Sequence, residues 1–228
     1  MSSEILLLSL KALTRSQLTQ LRKVAHEILC IEPFDIEYVS NLPWPENGQI
    51  SIFTSQKALQ AIQMSHHSKY GDYSGYECLC VGSRTGLLAE KMGFTVVYSA
   101  KDANDLVRFV DNTYSEQKSF VHYCASDRLN VLRKADVFRA RHHFREVVSY
   151  HKHLKNLPYT LDSNVVLAFS PSGIAFARRH LNDVNAVRVF CIGATTAQAA
   201  REAGFREVLV AEESTVQAVC DLVSKTLG

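Results

Sequence analysis

Short apolar runs alternate with stretches of helical period along nearly the whole chain. Continuous runs rich in Val, Ile, Leu, Phe or Cys are typical of strands that are buried on both faces, as in a parallel sheet. The runs cover residues 4–10, 49–55, 77–82, 95–99, 119–126, 146–151, 164–170, 187–193 and 207–211.

The stretches between these runs place apolar residues at spacings of three and four. In residues 15–28 the apolar positions Leu18, Leu21, Val24 and Ile28 fall on one face, which predicts a helix there. The same period recurs over residues 85–92, 104–110, 172–181 and 196–203. Strand and helix alternate with short joints, so the pattern predicts α/β units with right-handed crossovers.

Two extended segments interrupt this alternation, at about residues 31–38 and 145–153, and four of the five prolines lie close to them. We interpret them as a pair of linker strands that cross between two domains. The predicted domains are a discontinuous one, 1–33 plus 155–228, and an inserted one, 36–147.

The two predicted domains share an internal repeat. Segment 81–94 matches segment 192–205 without a gap, 111 residues further on. In each copy a glycine follows a buried run, and Thr85 in one copy and Thr195 and Thr196 in the other open the next helix. Each threonine could cap its helix or, beside free backbone N–H groups, bind an anion. Because ligands bind outside the carboxyl ends of strands in open α/β sheets, two such edges facing across a hinge predict a cleft for a sizeable anion.

Composition excludes several classes of protein. Lys+Arg 25 against Asp+Glu 23 gives a net charge of +2, too balanced for a general nucleic-acid-binding surface. The six cysteines have no C-x-x-C spacing, which favours reduced, buried thiols over disulfides or a zinc site. The first apolar run is too short for a signal sequence or a membrane span, so we expect a cytoplasmic protein without a membrane anchor.

Histidine pairs raise the question of a metal site. His142 adjoins His143, and His151 and His153 have the H-x-H spacing that places both rings on one face of a strand. The chain near them offers arginine and lysine and no carboxylate or cysteine that completes a ligand set, so we interpret the pairs as a solvated linker face and predict no metal. Together with Arg139 and Arg141 they could form a small basic patch.

The motifs resemble those of one family. Phe169-Ser-Pro-Ser-Gly173, followed by Cys191-Ile-Gly-Ala-Thr-Thr-Ala197, resembles the C-terminal half of uroporphyrinogen-III synthases. Ile52-Phe-Thr-Ser55 and Val81-Gly-x-x-Thr85 are similar to the other half of the family's sequence, and Tyr150 falls where the family has a tyrosine. The order of elements is similar from about residue 4 to residue 225. The family's first strand commonly ends in Thr-Arg-Pro, which this chain lacks.

The resemblance implies two similar doubly wound, parallel-sheet (flavodoxin-like) α/β domains joined by a two-stranded β linker. It also implies a lyase of haem biosynthesis that cyclises linear hydroxymethylbilane to uroporphyrinogen III, with ring D inverted and water lost. The enzyme would use no metal or organic cofactor. Apart from the resemblance, we expect a monomer, and the balanced charge predicts that it binds no nucleic acid. The alternative is a non-catalytic hinged protein that binds a tetrapyrrole or another polyanion.

The same resemblance suggests site residues. Tyr150 is the candidate acid near the departing hydroxyl, and the alternative is a linker tyrosine that packs between the domains. Arg128 is the leading cation for the substrate's carboxylates, although each arginine could equally lie on the solvated surface. The candidate substrate-binding residues are Thr54, Ser55, Arg84, Thr85, Arg128, Ser170, Ser172, Thr195 and Thr196.

Overall fold

The structure, a computed structural model, describes residues 4–66, 73–128 and 130–228. It divides into two compact units. Unit 1 comprises Met1–Asp35 with Leu154–Gly228, and unit 2 comprises Ile36–His153.

The elements alternate between strands and helices in chain order. The first half contains β1 (Leu6–Ser9), α1 (Arg15–Leu21), β2 (Glu27–Cys30), β3 (Phe34–Tyr38), β4 (Gln49–Phe53), α2 (Gln56–His66), β5 (Glu77–Val81), α3 (Ser83–Lys91), β6 (Thr95–Ala100) and α4 (Ala103–Thr113). The second half contains β7 (Ser119–Ala125), α5 (Val131–Lys134), a π-helical turn (Val137–Arg141), β8 (His143–Leu154), β9 (Val165–Ala168), α6 (Pro171–His180), β10 (Arg188–Cys191), α7 (Ala194–Glu202), β11 (Glu207–Val210) and α8 (Val216–Leu227).

Unit 1 is built on a parallel sheet with the strand order β11-β10-β9-β1-β2. Successive side chains alternate between the faces, so Leu7 packs with α1 and α8 on one side and Leu8 packs with α6 and α7 on the other. Both leucines are buried. Helices on both faces explain why the central strands are apolar at every position.

Unit 2 has the strand order β3-β8-β7-β4-β5-β6, in which β4 to β8 are parallel. Phe53 and Tyr123 pack beneath α2 and α3, while Ile52 and Phe120 pack beneath α4 and α5. The prediction of doubly wound parallel sheets is therefore confirmed in each unit.

The two sheets have the same spatial arrangement with the chain joined differently. Both contain three consecutive strands that run from the edge inwards, β6-β5-β4 in unit 2 and β11-β10-β9 in unit 1. Two further parallel strands continue each sheet; in unit 2 these follow in the chain (β7, β8), and in unit 1 they come first (β1, β2). The sheet of unit 2 has β3 as a sixth strand beside β8. The units are thus circular permutations of one plan, which explains why the sequence repeat covers only the shared part. The strand order reverses between β4 and β7 and between β9 and β1.

The predicted helix over residues 15–28 is wrong in its second half. The helix ends at Leu21, whose carbonyl accepts hydrogen bonds from the N–H groups of Val24 and Ala25, and β2 follows. β2 is an edge strand that pairs with β1 on one side, and most of its side chains are exposed. It therefore lacks the continuous apolar run that marks the central strands, and Ile28 extends the apolar spacing of α1 by coincidence.

β8 is longer than the extended segment that the sequence indicates. Its first part is an ordinary parallel neighbour of β7, and its second part lies beside β3. Hydrogen bonds from Val39 N to Ser149 O (3.0 Å) and from Lys155 N to Pro33 O (2.8 Å) define the direction. The paired residue numbers rise along β8 as they fall along β3, so the two strands are antiparallel.

All six cysteines are free thiols, and five of them are buried. Cys30 is exposed because it lies on the edge strand β2, which corrects the expectation that every cysteine is buried. Within the three described ranges, no helix has both the length and the apolar character needed to cross a membrane.

Candidate functional site

A chain of polar contacts crosses the point in unit 2 where the strand order reverses. Thr54 directly follows β4, and its Oγ1 lies 3.2 Å from Nε2 of His122 on the neighbouring β7. His122 Nδ1 lies 3.5 Å from Oε1 of Glu146 on β8. Arg128, which follows β7, donates from Nε to Glu146 Oε1 at 3.0 Å and from Nη2 to the other carboxylate oxygen. A threonine hydroxyl at the edge of the sheet is thereby connected to an ion pair.

The protonation states of this network follow from burial and charge. His122 is 2% exposed, and burial lowers its pKa to about 4, so the ring is neutral at pH 7. The guanidinium of Arg128 lowers the pKa of the Glu146 carboxyl, which is therefore ionised. Since an unprotonated Nδ1 would repel the carboxylate, the proton of His122 lies on Nδ1 and Nε2 accepts a hydrogen bond from Thr54. The Thr54 oxygen then keeps its lone pairs for a ligand N–H.

Arg128 does not present a free positive charge to a ligand. Its bidentate pair with Glu146 raises the pKa of the guanidinium and uses two of its donors, and Nη1 donates to the Ser126 carbonyl oxygen at 3.4 Å. The sequence singles out the position correctly as one at the end of β7. The side chain there orients Glu146 and, through it, His122.

His122, Cys124 and Glu146 bring three ligand-type atoms within 4.8 Å of one another. The carboxylate is already held by Arg128 on both oxygens. The Cys124 thiol donates to the Val147 carbonyl oxygen, and burial raises its pKa to about 11, which keeps it protonated at pH 7. The group therefore has the bonding of an ion-pair network, in contrast to the deprotonated ligand set that zinc requires.

The start of α3 in unit 2 offers backbone N–H groups. Gly82, the residue that precedes α3, has φ of 84°, in the region that favours glycine. Because glycine has no side chain, the first turn of α3 has no side-chain cap. Thr85 is buried in the first turn, whereas Arg84 is exposed and its carbonyl oxygen accepts from Gln56 Nε2 at 2.9 Å. Ser55, after β4, accepts from Lys57 N.

The equivalent edge of unit 1 is formed by the starts of α6 and α7. Ser170 caps α6, because its Oγ accepts from Gly173 N at 3.1 Å, and it lies 3.3 Å from the hydroxyl of exposed Ser172. α7 begins after Gly193 without a side-chain cap. Thr196 is buried and Thr195 is exposed, which repeats the pattern of Thr85 and Arg84.

Tyr150 lies in the core of unit 2, with 4% of its surface exposed. Its carbonyl oxygen accepts from Ser126 N at 3.1 Å, and the Lys152 ammonium lies 6.0 Å from the centre of its ring. The side chain thus packs within one unit. Its role in catalysis stays a prediction.

The structure brings the other candidates to the carboxyl ends of parallel strands. Thr54, Ser55, Arg84, Thr85 and Arg128 follow neighbouring strands of unit 2. Ser170, Ser172, Thr195 and Thr196 follow the neighbouring strands β9 and β10 of unit 1. Sequence reasoning missed His122 and Glu146. The available signal was a histidine inside the apolar run 119–126 and a glutamate at the start of the run 146–151.

Comparison with known proteins settles which family has this arrangement. A family model described as uroporphyrinogen-III synthase HemD matches residues 29–221. The chain belongs to the uroporphyrinogen-III synthase family. Members of this family are cyclising lyases of tetrapyrrole biosynthesis. The substrate class of this chain is therefore a small-molecule tetrapyrrole.

Solved structures of uroporphyrinogen-III synthases have the same fold at low sequence identity. The enzyme from Helicobacter pylori is 14% identical with a TM-score of 0.71, and the match covers 97% of this chain and 99% of that one. A mutant enzyme from the extremely thermophilic bacterium Thermus thermophilus is 12% identical with a TM-score of 0.60, over 97% of each chain. No curated protein matches the chain at a significant level.

The helix cap that Ser170 provides is testable apart from any ligand. We expect Ser170→Ala to lower the free energy of unfolding by about 1 kcal/mol, because the Gly173 N–H loses its acceptor. Ser172→Ala, which changes an exposed hydroxyl two residues away, should change it by less than half as much. Urea denaturation of both variants measures the difference, and equal effects would show that Ser170 is not an effective cap.

Burial of neutral His122 predicts a loss of stability in acid. The unfolded histidine titrates near 6.5 and the folded one at about 4, so below pH 6.5 the unfolded chain binds the proton first. The contribution of neutral His122 to the free energy of unfolding is therefore fully present above pH 6.5 and is lost progressively as the pH falls towards 4. Between pH 7 and 4.5 this amounts to about 2 to 3 kcal/mol.

Denaturant unfolding of the wild type, His122→Gln and His143→Gln at both pH values isolates this effect. The His122 variant should lose less stability on acidification than the wild type, while the variant of exposed His143 should behave as the wild type does. Because His142 also has a pKa lowered by burial, only the difference between proteins is informative. Parallel curves for all three would contradict the assignment.

Proposed function

We propose that this protein cyclises hydroxymethylbilane to uroporphyrinogen III, inverting ring D as water is lost. The observation that carries this proposal is the family match over residues 29–221, which spans strands of both units. The domains that we propose are 1–33 plus 155–228 and 36–147. We also propose that the protein acts as a monomer in the cytoplasm and without nucleic acid, in keeping with its net charge of +2.

The candidate edges suit the chemistry of this substrate. Its eight carboxylates need hydrogen-bond donors, and the uncapped first turns of α3 and α7 supply backbone N–H groups beside Thr85 and Thr196. Exposed Ser172, Thr195 and Arg84 add donors at the same edges. Pyrrole N–H groups need acceptors, and the Thr54 oxygen supplies one because its proton is directed to His122. Cyclisation then depends mainly on the geometry in which the chain of rings is held.

Tyr150 is the proposed acid. A phenol is protonated at neutral pH and can donate a hydrogen bond to the departing hydroxyl as an electrophilic azafulvene forms. Tyr150 pairs with Ala125, the last residue of β7, and this pairing supports a place near the carboxyl ends of the strands of unit 2. Loss of water leaves an electrophilic methylene on ring A, which the substituted carbon of ring D attacks to give a spiro intermediate. The bond from that carbon to its original methylene bridge then breaks, the released methylene bonds to the free α-carbon of ring D, and loss of the proton from that carbon completes the inverted macrocycle.

The function is tested by the isomer that forms. We expect the purified protein, supplied with hydroxymethylbilane generated in situ, to yield type III uroporphyrin after oxidation, in excess over the spontaneous type I isomer. Separation of the two isomers by chromatography measures the ratio, and heat-denatured protein gives the spontaneous background. Type I alone from folded protein would overturn the proposed function and favour a non-catalytic tetrapyrrole-binding protein.

The acid is tested by removing one oxygen. Tyr150→Phe keeps the ring in the core, and we expect kcat to fall by about tenfold, at the modest end of general-acid effects. Tyr159→Phe, at an exposed tyrosine of unit 1, is the matched control and should keep the wild-type rate. Unchanged turnover of Tyr150→Phe would remove this residue from the mechanism.

A further inference from the structure

A basic cavity of about 720 Å³ opens beside the first half of β8, entirely within unit 2. β3 covers the second half of β8, and no strand of the described residues lies outside residues 143–146. The cavity is lined by Arg128, Arg133, Arg139, Arg145, His142 and Glu146, together with His143 and two phenylalanines. Four guanidinium groups therefore share a single carboxylate in the wall.

The arginines differ in how far their charge is already used. Arg128 holds both oxygens of Glu146, and Arg133 Nε lies 4.0 Å from one of the same oxygens. Arg145 lies 3.5 Å from the carboxylate of Glu46, which is 68% exposed, and such surface pairs are weak. Arg139 forms no ion pair with any residue that the structure describes. The wall thus keeps an excess of positive charge that the protein itself does not neutralise.

His142 adds a donor whose partner is missing. Its side chain is buried, at 6% exposure, and lines the cavity. Nδ1 accepts a hydrogen bond from Lys118 N at 3.2 Å, and burial and then Arg141 lower the pKa of the ring. The neutral ring must therefore carry its proton on Nε2, and Nε2 has no hydrogen-bond partner among the described residues. A buried donor without a partner is costly, and a ligand atom that accepts from Nε2 would remove this cost.

We propose that this cavity binds a small molecule that carries two or more phosphate or carboxylate groups. His142 Nε2 and the guanidinium groups of Arg139 and Arg145 supply the donors. Planar guanidinium forks match the paired oxygens of either group, and the volume is in the range of small-molecule sites. One negative charge would leave most of the excess unneutralised, which is why the ligand is multiply charged. The site is additional to the candidate edge at Thr54 and does not depend on the proposed function.

Calorimetric titration of the full-length protein with inorganic pyrophosphate, and separately with citrate, tests the site. The proposal expects at least one probe to bind, more weakly at higher salt; pyrophosphate alone indicates a phosphorylated ligand and citrate alone a polycarboxylate. Arg139→Gln should weaken binding by about tenfold, because a charge-assisted hydrogen bond is lost. Arg108→Gln is the control, since Arg108 pairs with Asp105 on α4 outside the cavity wall and should leave binding unchanged.

A second variant and a spectroscopic measurement examine the histidine. His142→Phe keeps the edge-on packing against Tyr114 and Phe120 and removes the Nε2 donor, so binding should weaken several-fold. In the wild type the ¹⁵N resonance of protonated Nε2 should shift on addition of the probe that binds. Failure of both probes to bind, or wild-type affinity in Arg139→Gln and His142→Phe, would overturn the proposal.

Synthase assays separate this site from the catalytic one. Arg139→Gln should keep the wild-type KM and kcat for formation of the type III isomer, because Arg139 has no place in the proposed machinery. A raised KM in this variant would assign the cavity to the substrate site and contradict a separate ligand. If the wild type makes no type III isomer, the proposed function is wrong. That result would not change the interpretation of the anion titrations.

Discussion

A parallel sheet has to be covered on both faces, and most features of this protein follow from that requirement. Each strand must be apolar at successive positions, as Leu7 and Leu8 are, because its two faces meet different helices. Each helix must return the chain to the opposite end of the sheet before the next strand can run parallel. All carboxyl ends therefore meet at one edge, and the loops that follow them bring Thr54, Thr85 and Arg128 to the same side of unit 2.

The circular permutation of the two units extends this argument. A sheet in which the chain starts at the centre must reverse its strand order once, and both units do so beside their first repeated strand, β4 or β9. The reversal leaves adjacent loops leading to opposite faces, which opens a crevice at that point. The reversal does not depend on where the chain enters and leaves the sheet. Unit 1 begins with the two strands that unit 2 places last, and both sheets still reverse at the same point. The site candidates lie at equivalent edges because the reversal is preserved.

The features that the sequence predicted well are those that burial on both faces dictates. The central strands, the helix starts at Gly82 and Gly193 and the edge location of the hydroxyl residues all depend on local pattern. β2 was missed because an edge strand is freed from the requirement for continuous apolar residues. The network of His122 and Glu146 was missed because it joins two strands that neighbour each other only in the folded sheet. His142 was expected on a solvated face and is buried, since the turn before β8 folds it against Phe120.

The distribution of charge within unit 2 separates two kinds of binding surface. At the sheet edge the guanidinium of Arg128 is held by Glu146, so a ligand there meets hydroxyl groups, backbone N–H groups and the exposed side chain of Arg84. Such donors bind many carboxylates without strong net charge, and their strength depends on geometry more than on salt. In the cavity beside β8 the arginines outnumber the carboxylates, so long-range electrostatic attraction of an anionic ligand dominates there. An overall charge of +2 conceals this contrast. The half-buried carboxylate of Glu146 divides the two regions by neutralising Arg128, the arginine that they share.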